Sequence, residues 1–133
     1  MKIVFTNGCF DILHKGHASL LMECRSFGDM VVVGLNSDSS VRRLKGHGRP
    51  VNDERSRRAA LLRLSWVDHV FVFEEDSPLR LIMKLKPAVI VKGGDYKIEE
   101  VVGYKECVEW GGSVHLARFI DGQSTTRILH ERS

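Results

Sequence analysis

Short runs of apolar, largely β-branched residues alternate along this chain with stretches whose apolar positions recur at helical spacing. Runs of the first kind occupy residues 3–6, 30–35, 67–73, 88–91 and 114–119, and the pattern predicts five strands. The run at 30–35 is almost unbroken, as a central strand covered on both faces requires. A helix over 16–26 places Leu20, Leu21 and Cys24 on one face, with Gly28 as its stop. A second spans 52–64, with Asn52 as cap and Asp53 and Glu54 in the first turn. A third opens at Ser77-Pro78 and closes at Lys86-Pro87, a fourth covers 99–110, and Ser124 caps a last one. Strands alternating with helices predict an α/β domain with a doubly wound, five-stranded parallel sheet. The 133 residues make one domain, 1–133.

In such a sheet ligands sit at the carboxyl ends of the strands, near the reversal of strand order. The loops after strands one, two, four and five therefore hold the candidate chemistry. After the first strand comes Gly8-Cys9-Phe10-Asp11, then His14 and His17, three apart at a helix start. Free amides and the positive dipole end make that start a phosphate site, and two imidazoles there can stabilise charge on a phosphoryl group. Taken alone, the pair is equally well explained as two histidines with no joint role. Cys9, His14 and His17 match no common zinc spacing and have no evident fourth ligand, so no protein-bound metal is expected.

After the second strand lie Asp38, Arg42, Arg43, Lys45 and Arg49 with Gly46 and Gly48, which read as a flexible basic loop or a solvated face. Lys92-Gly93-Gly94-Asp95 follows the fourth strand, as a pocket wall or a tight turn. Gly122-Gln123-Ser124-Thr125-Thr126-Arg127 follows the fifth, offering three hydroxyls and a helix start to a phosphate. Neither a Walker A loop nor a G-x-G-x-x-G fingerprint is present. Coincidence explains one such loop readily, but poorly explains three on one rim.

Composition narrows the class. With 43% hydrophobic and 28% charged residues the chain is an ordinary globular protein, which excludes disorder. A net charge of +3 is weak evidence for nucleic acid, but the basic cluster between Arg42 and Arg58 favours an anionic partner. Cys9, Cys24 and Cys107 are odd in number and widely spaced, which suits a reducing compartment. No run reaches the roughly 20 apolar residues of a membrane span, and the first residues do not read as a leader. A cytoplasmic protein with no membrane partner is expected.

Gly8-Cys9-Phe10-Asp11 with His14-Lys15-Gly16-His17 resembles the H-x-G-H signature of the cytidylyltransferase-like nucleotidyltransferases, and Ser124-Thr125-Thr126-Arg127-Ile128 resembles their second signature. Within that superfamily the chain is most similar to heptose 1-phosphate adenylyltransferases, through Asn36-Ser37-Asp38, Arg43-Leu44-Lys45-Gly46, Arg49-Pro50-Val51-Asn52, Phe73-Glu74-Glu75-Asp76 and Val91-Lys92-Gly93-Gly94-Asp95-Tyr96. Many relatives are fused to a sugar kinase, and the length suggests the stand-alone form. The resemblance implies a Rossmann-like nucleotidyltransferase fold and transfer of an adenylyl group from ATP, with Mg²⁺, to a heptose 1-phosphate for bacterial surface polysaccharide. It assigns His14, His17 and Lys45 to catalysis. Gly8, Cys9, Phe10, Lys92, Gly93, Ser124, Thr125 and Thr126, with the two histidines, would bind nucleotide. Asp11, Asp38, Lys45 and Asp95 would bind sugar phosphate. The preference for ATP comes from the resemblance alone. Arg118 stands one residue further from the Ser-Thr-Thr segment than glycerol phosphate relatives place their Arg, so Arg127 is its substitute if there is one.

Alternatives are a glycerol 3-phosphate cytidylyltransferase or another phospho-alcohol enzyme, and, from other classes, a non-catalytic nucleotide sensor or a nucleic-acid module. The last lacks clustered stacking aromatics, so small-molecule substrates and no nucleic acid are expected. A homodimer is the default assembly.

Overall fold

The computed structural model describes residues 1–117. Five strands, β1 (Ile3–Gly8), β2 (Met30–Asn36), β3 (His69–Phe73), β4 (Val89–Gly93) and β5 (Ser113–Ala117), form one parallel sheet in the order β3-β2-β1-β4-β5. The chain builds outward from β1 to β3, then crosses back to add β4 and β5 on the other side. Strand order therefore reverses at β1 and β4, and a crevice opens between their carboxyl ends.

Alternation along the strands sorts the core into two layers. Phe5, Val32, Ile90 and Val114 face Ile82 of α4 (Leu79–Leu85) and Cys107 of α5 (Tyr104–Glu109). Val4, Val31, Val33 and Val91 face the other way, onto Leu21 and Cys24 of α1 (Lys15–Phe27) and Leu61 of α3 (Glu54–Leu62). Full burial of such side chains contributes about 1.5–3 kcal/mol each, so the doubly wound sheet follows from the two-sided apolar pattern.

Three expectations are corrected. The segment after β2 is a helix, α2 (Asp38–Lys45), and not a flexible loop. Ser37 caps it by accepting from the Ser40 N–H, Asp38 lies in its first turn, three cations lie in its last, and Gly46 at φ 94° ends it. Its hydrophobic face is a single buried valine, Val41, so no period was visible.

The 52–64 helix is α3, capped by Asp53 rather than Asn52. The 99–110 helix is broken. A 3₁₀ turn at Ile98–Glu100 leads to Val101, and α5 begins only after Gly103. Gly103 has φ 92°, a conformation L side chains rarely adopt, and a Cβ there would crowd Ile82 at 3.0 Å and Ile90 at 3.1 Å, so the backbone favours glycine. The fifth strand is found at Ser113–Ala117, while the helix expected at Ser124 lies outside the described residues. Among the described residues no helix is long and apolar enough to cross a membrane.

Candidate active site

β1 runs through Asn7 to Gly8 and then turns sharply. Phe10 holds φ 46°, a left-handed conformation unusual for a bulky residue. Its ring folds over Gly8, where a Cβ would meet the ring at 3.1 Å, so glycine lets the turn close. The turn delivers the chain to α1 through His14, which is the N-cap: its Nδ1 accepts from the Gly16 N–H at 3.1 Å. A nitrogen that accepts carries no proton, so the neutral ring carries its proton on Nε2, an atom that is buried in the structure. His17, one turn along, stacks on His14 with centroids 4.0 Å apart and planes at 24°. Phe10 supports His17 from the side, at 5.0 Å.

These residues floor a cavity of about 490 Å³ at the crevice between β1 and β4. One wall comes from the loops after β2 and β3, with Asn36, Lys45, Asp76 and Ser77. The opposite wall comes from the loop after β4 and the 3₁₀ turn, with Lys92, Gly93, Tyr96, Glu100 and Val101. Burial lowers the pKa of Lys92, opposed by its attraction to Cys9. The Cys9 thiol is pushed up by burial, against the pull of Lys45, Arg57 and Lys92.

Of the nucleotide and catalytic residues read from the sequence, the structure brings together Gly8, Cys9, Phe10, His14, His17, Lys45, Lys92 and Gly93, all of which line the cavity. The three aspartates assigned to sugar phosphate do not. Asp11 is buried and its carboxylate accepts from the N–H groups of Val51 (2.8 Å) and Asn52 (2.9 Å) and from Arg49 (3.2 Å). Burial acts to raise its pKa, but the Asn52 and Val51 amides and Arg49 outweigh it and hold the carboxyl below its usual value. Asp38 pairs with Arg57 at 2.8 Å, and Asp95 is exposed off the cavity wall. Ser124, Thr125, Thr126, Arg118 and Arg127 lie outside the described residues.

The basic cluster also reads differently in three dimensions. Arg43 binds Asp76 and the Glu74 carbonyl, Arg49 binds Asp11, Arg57 is buried, and Arg58 donates to the Val70 carbonyl. Much of that charge ties the protein to itself, and Lys45 is the member on the cavity wall. Sequence reading assigned no site residue to the loop after β3, although Phe73-Glu74-Glu75-Asp76 was among the segments that carry the resemblance. Ser40 donates to the Glu75 carbonyl and Arg43 grips Glu74 and Asp76, so α2 pulls this loop onto the rim. The available signal was that every loop after a parallel strand emerges at the same end. Among the described residues no three His, Cys, Asp or Glu side chains converge to hold a metal.

A stacked histidine pair at a helix N-terminus shares one cavity with Lys45 and Lys92. Residues 5–130 match the model of the family described as Cytidylyltransferase-like. The chain belongs to that family. It is a nucleotidyltransferase with a Rossmann-like sheet.

Among similar proteins, the Bifunctional protein HldE of Geobacter metallireducens is 58% identical over 128 residues, covering 96% of this chain and 26% of that protein. Its namesake from Helicobacter pylori is 53% identical over 130 residues, covering 98% and 27%. The chain thus spans about a quarter of the curated relatives it matches. A solved structure, the lipopolysaccharide core biosynthesis protein from Thermoplasma volcanium, superposes with a TM-score of 0.78 at 31% identity, covering 91% of this chain and 99% of that one.

Proposed function

We propose that this nucleotidyltransferase moves an adenylyl group from ATP to a heptose 1-phosphate, forming ADP-heptose and pyrophosphate. The observation that carries the reading is the His14–His17 stack beside Lys45 and Lys92 in one crevice. The heptose is supported by the segment resemblances and by a lipopolysaccharide core biosynthesis protein among the structural neighbours.

The acceptor phosphate oxygen attacks the α-phosphorus in line. The new O–P bond forms as the bond to the β-phosphate bridging oxygen breaks, and the electron pair leaves with pyrophosphate. That acceptor is already ionised at neutral pH, so no strong base is needed. Positioning and charge stabilisation carry the catalysis. His14 donates through Nε2 to a phosphoryl oxygen, and the free amides of α1 add to it. Lys45 sits between the two phosphate groups, and Ser124, Thr125 and Thr126 take the β- and γ-phosphates. Mg²⁺ bound to the triphosphate would shield its charge.

The two walls divide the substrates. Nucleotide lies against Lys92, Gly93 and Tyr96, and the acceptor against Asn36, Lys45, Asp76 and Ser77. A carboxylate repels phosphate but accepts from sugar hydroxyls, so Asp76, pinned by Arg43 at 2.9 Å, faces the polyol. A hydrogen bond to a charged group contributes about 1.5–3 kcal/mol. Asp76→Ala should therefore raise the KM of the sugar phosphate about tenfold or more and leave that of ATP within a factor of about two. An unchanged sugar KM would remove Asp76 from the acceptor wall.

The deciding assay is pyrophosphate release with Mg²⁺, pairing ATP or CTP with heptose 1-phosphates and glycerol 3-phosphate. Release with ATP and one heptose 1-phosphate anomer is expected. Release only with CTP or glycerol phosphate would keep the mechanism and overturn the substrate.

A further inference from the structure

Arg57 is the largest side chain fully buried among the described residues, and the mechanism above does not use it. It sits on α3 and reaches under the cavity floor. Nη1 donates to the Cys9 carbonyl at 2.9 Å and to the Asn36 carbonyl at 2.8 Å. Nε donates to the Asn52 carbonyl at 2.9 Å, and Nη2 to Asp38 Oδ1 at 2.8 Å. A guanidinium presents a rigid planar fork of five donors, so four such bonds fix the relative places of everything it touches.

What it touches is the support of the cavity floor and of one wall. The Cys9 carbonyl lies in the peptide leading into Phe10, whose φ is 46° and whose ring packs on His17. Holding that peptide sets the turn that aims the histidine pair. Asn36 ends β2 and Asp38 begins α2, whose last residue is Lys45. A short helix is a stiff lever, so its anchored start places Lys45 at the other end.

We infer that Arg57 is a positioning residue for group transfer, holding the histidine turn and the Lys45 helix at the separation the two phosphates require. The inference rests on the nucleotidyl-transfer reading. Arg57 acts through Cys9, Phe10 and α2, and its side chain does not reach the cavity.

Arg57→Lys keeps a cation but has three donors on a flexible stem. A misplacement of about 1 Å in such a site costs on the order of 100-fold in rate. The expected result is a folded protein whose kcat falls by about that factor, with the dissociation constant for ATP changed less than about threefold. The control is Ile82→Ala, a cavity on the opposite face of the sheet, assayed where both variants are fully folded; it should keep kcat within about threefold of the parent chain. Arg57→Lys with parental kcat, or the two variants losing equally, would show Arg57 to be a stabilising residue only.

If Arg57→Lys does not fold, Asp38→Ala carries the test, because it removes one contact and leaves the three carbonyl bonds. A fall of about three- to tenfold in kcat at constant acceptor KM supports positioning. A raised KM with unchanged kcat makes Asp38 a substrate ligand and overturns the inference. The parent chain separates the two levels. Turnover with some other phosphorylated acceptor overturns the heptose assignment and leaves Arg57 to be judged on that acceptor, whereas no pyrophosphate from any pair removes both.

Discussion

His14→Asn is expected to lower kcat by about 10²–10³-fold while leaving the protein as stable as its parent to within about 1 kcal/mol. The two effects separate because His14 has two duties on two nitrogens. Nδ1 caps α1 through the Gly16 N–H. Asparagine ranks among the best N-caps, so its amide oxygen replaces that acceptor. Nothing in asparagine reaches the place of Nε2, so the hydrogen bond to the transferring phosphoryl group is lost. His14→Ala should lose both, adding a stability cost of about 1 kcal/mol to the same fall in turnover. Thermal melts and pyrophosphate-release kinetics on the two variants check this. An asparagine variant with near-parental kcat would end the catalytic assignment of His14.

Asp11→Asn is expected to destabilise the fold by about 3 kcal/mol at pH 7, a drop in melting temperature on the order of 10 °C. The carboxylate accepts from two backbone amides and Arg49, and its own backbone carbonyl accepts from the Asn52 side chain at 2.7 Å. An amide in its place presents donors to donors. The pH dependence follows from the sign of the shift. Because the folded-state pKa is depressed, the stabilisation is fully present above the unfolded carboxyl value of about 3.9 and is lost as pH falls through the lower folded value. The gap between parent and variant should hold steady from pH 8 to 5 and narrow below about pH 4. Melting curves that coincide at pH 7 would show that Asp11 does not latch the 51–52 segment.

Much of the fold was legible because it rests on burial. The β-branched runs of β1, β2, β4 and β5 and the Leu21–Cys24 stripe of α1 are apolar for reasons local to themselves. The break at Gly103 was not legible, since it depends on Ile82 and Ile90 crowding the space of a side chain. α2 was missed although it carries a cap, a favourable charge order and a terminal glycine, because its contact with the core is one valine.

The site divides in the same way. His14, His17, Lys45 and Lys92 line a cavity whose place follows from the strand order. Asp11 looked like a sugar-phosphate ligand and Arg57 like a member of a basic cluster facing an anionic partner, because a sequence does not show which side of its element a side chain takes. Arg57 lies in a run with Arg55 and Arg58, where only its position on the inner face of α3 distinguishes it.

That the cavity's two walls come from opposite sides of β1 has an evolutionary meaning. Residues 36–45 and 74–78 shape one bay, and residues 92–102 shape the other, with no stretch of chain shared between them. The second bay can be exchanged with the histidine turn left in place, much as a lathe accepts a new chuck, whereas the first is tied to that turn through Arg57. On the proposed division of substrates, grafting the 74–78 segment from a relative is the route to a new acceptor, and a graft of 92–102 the route to a new nucleotide.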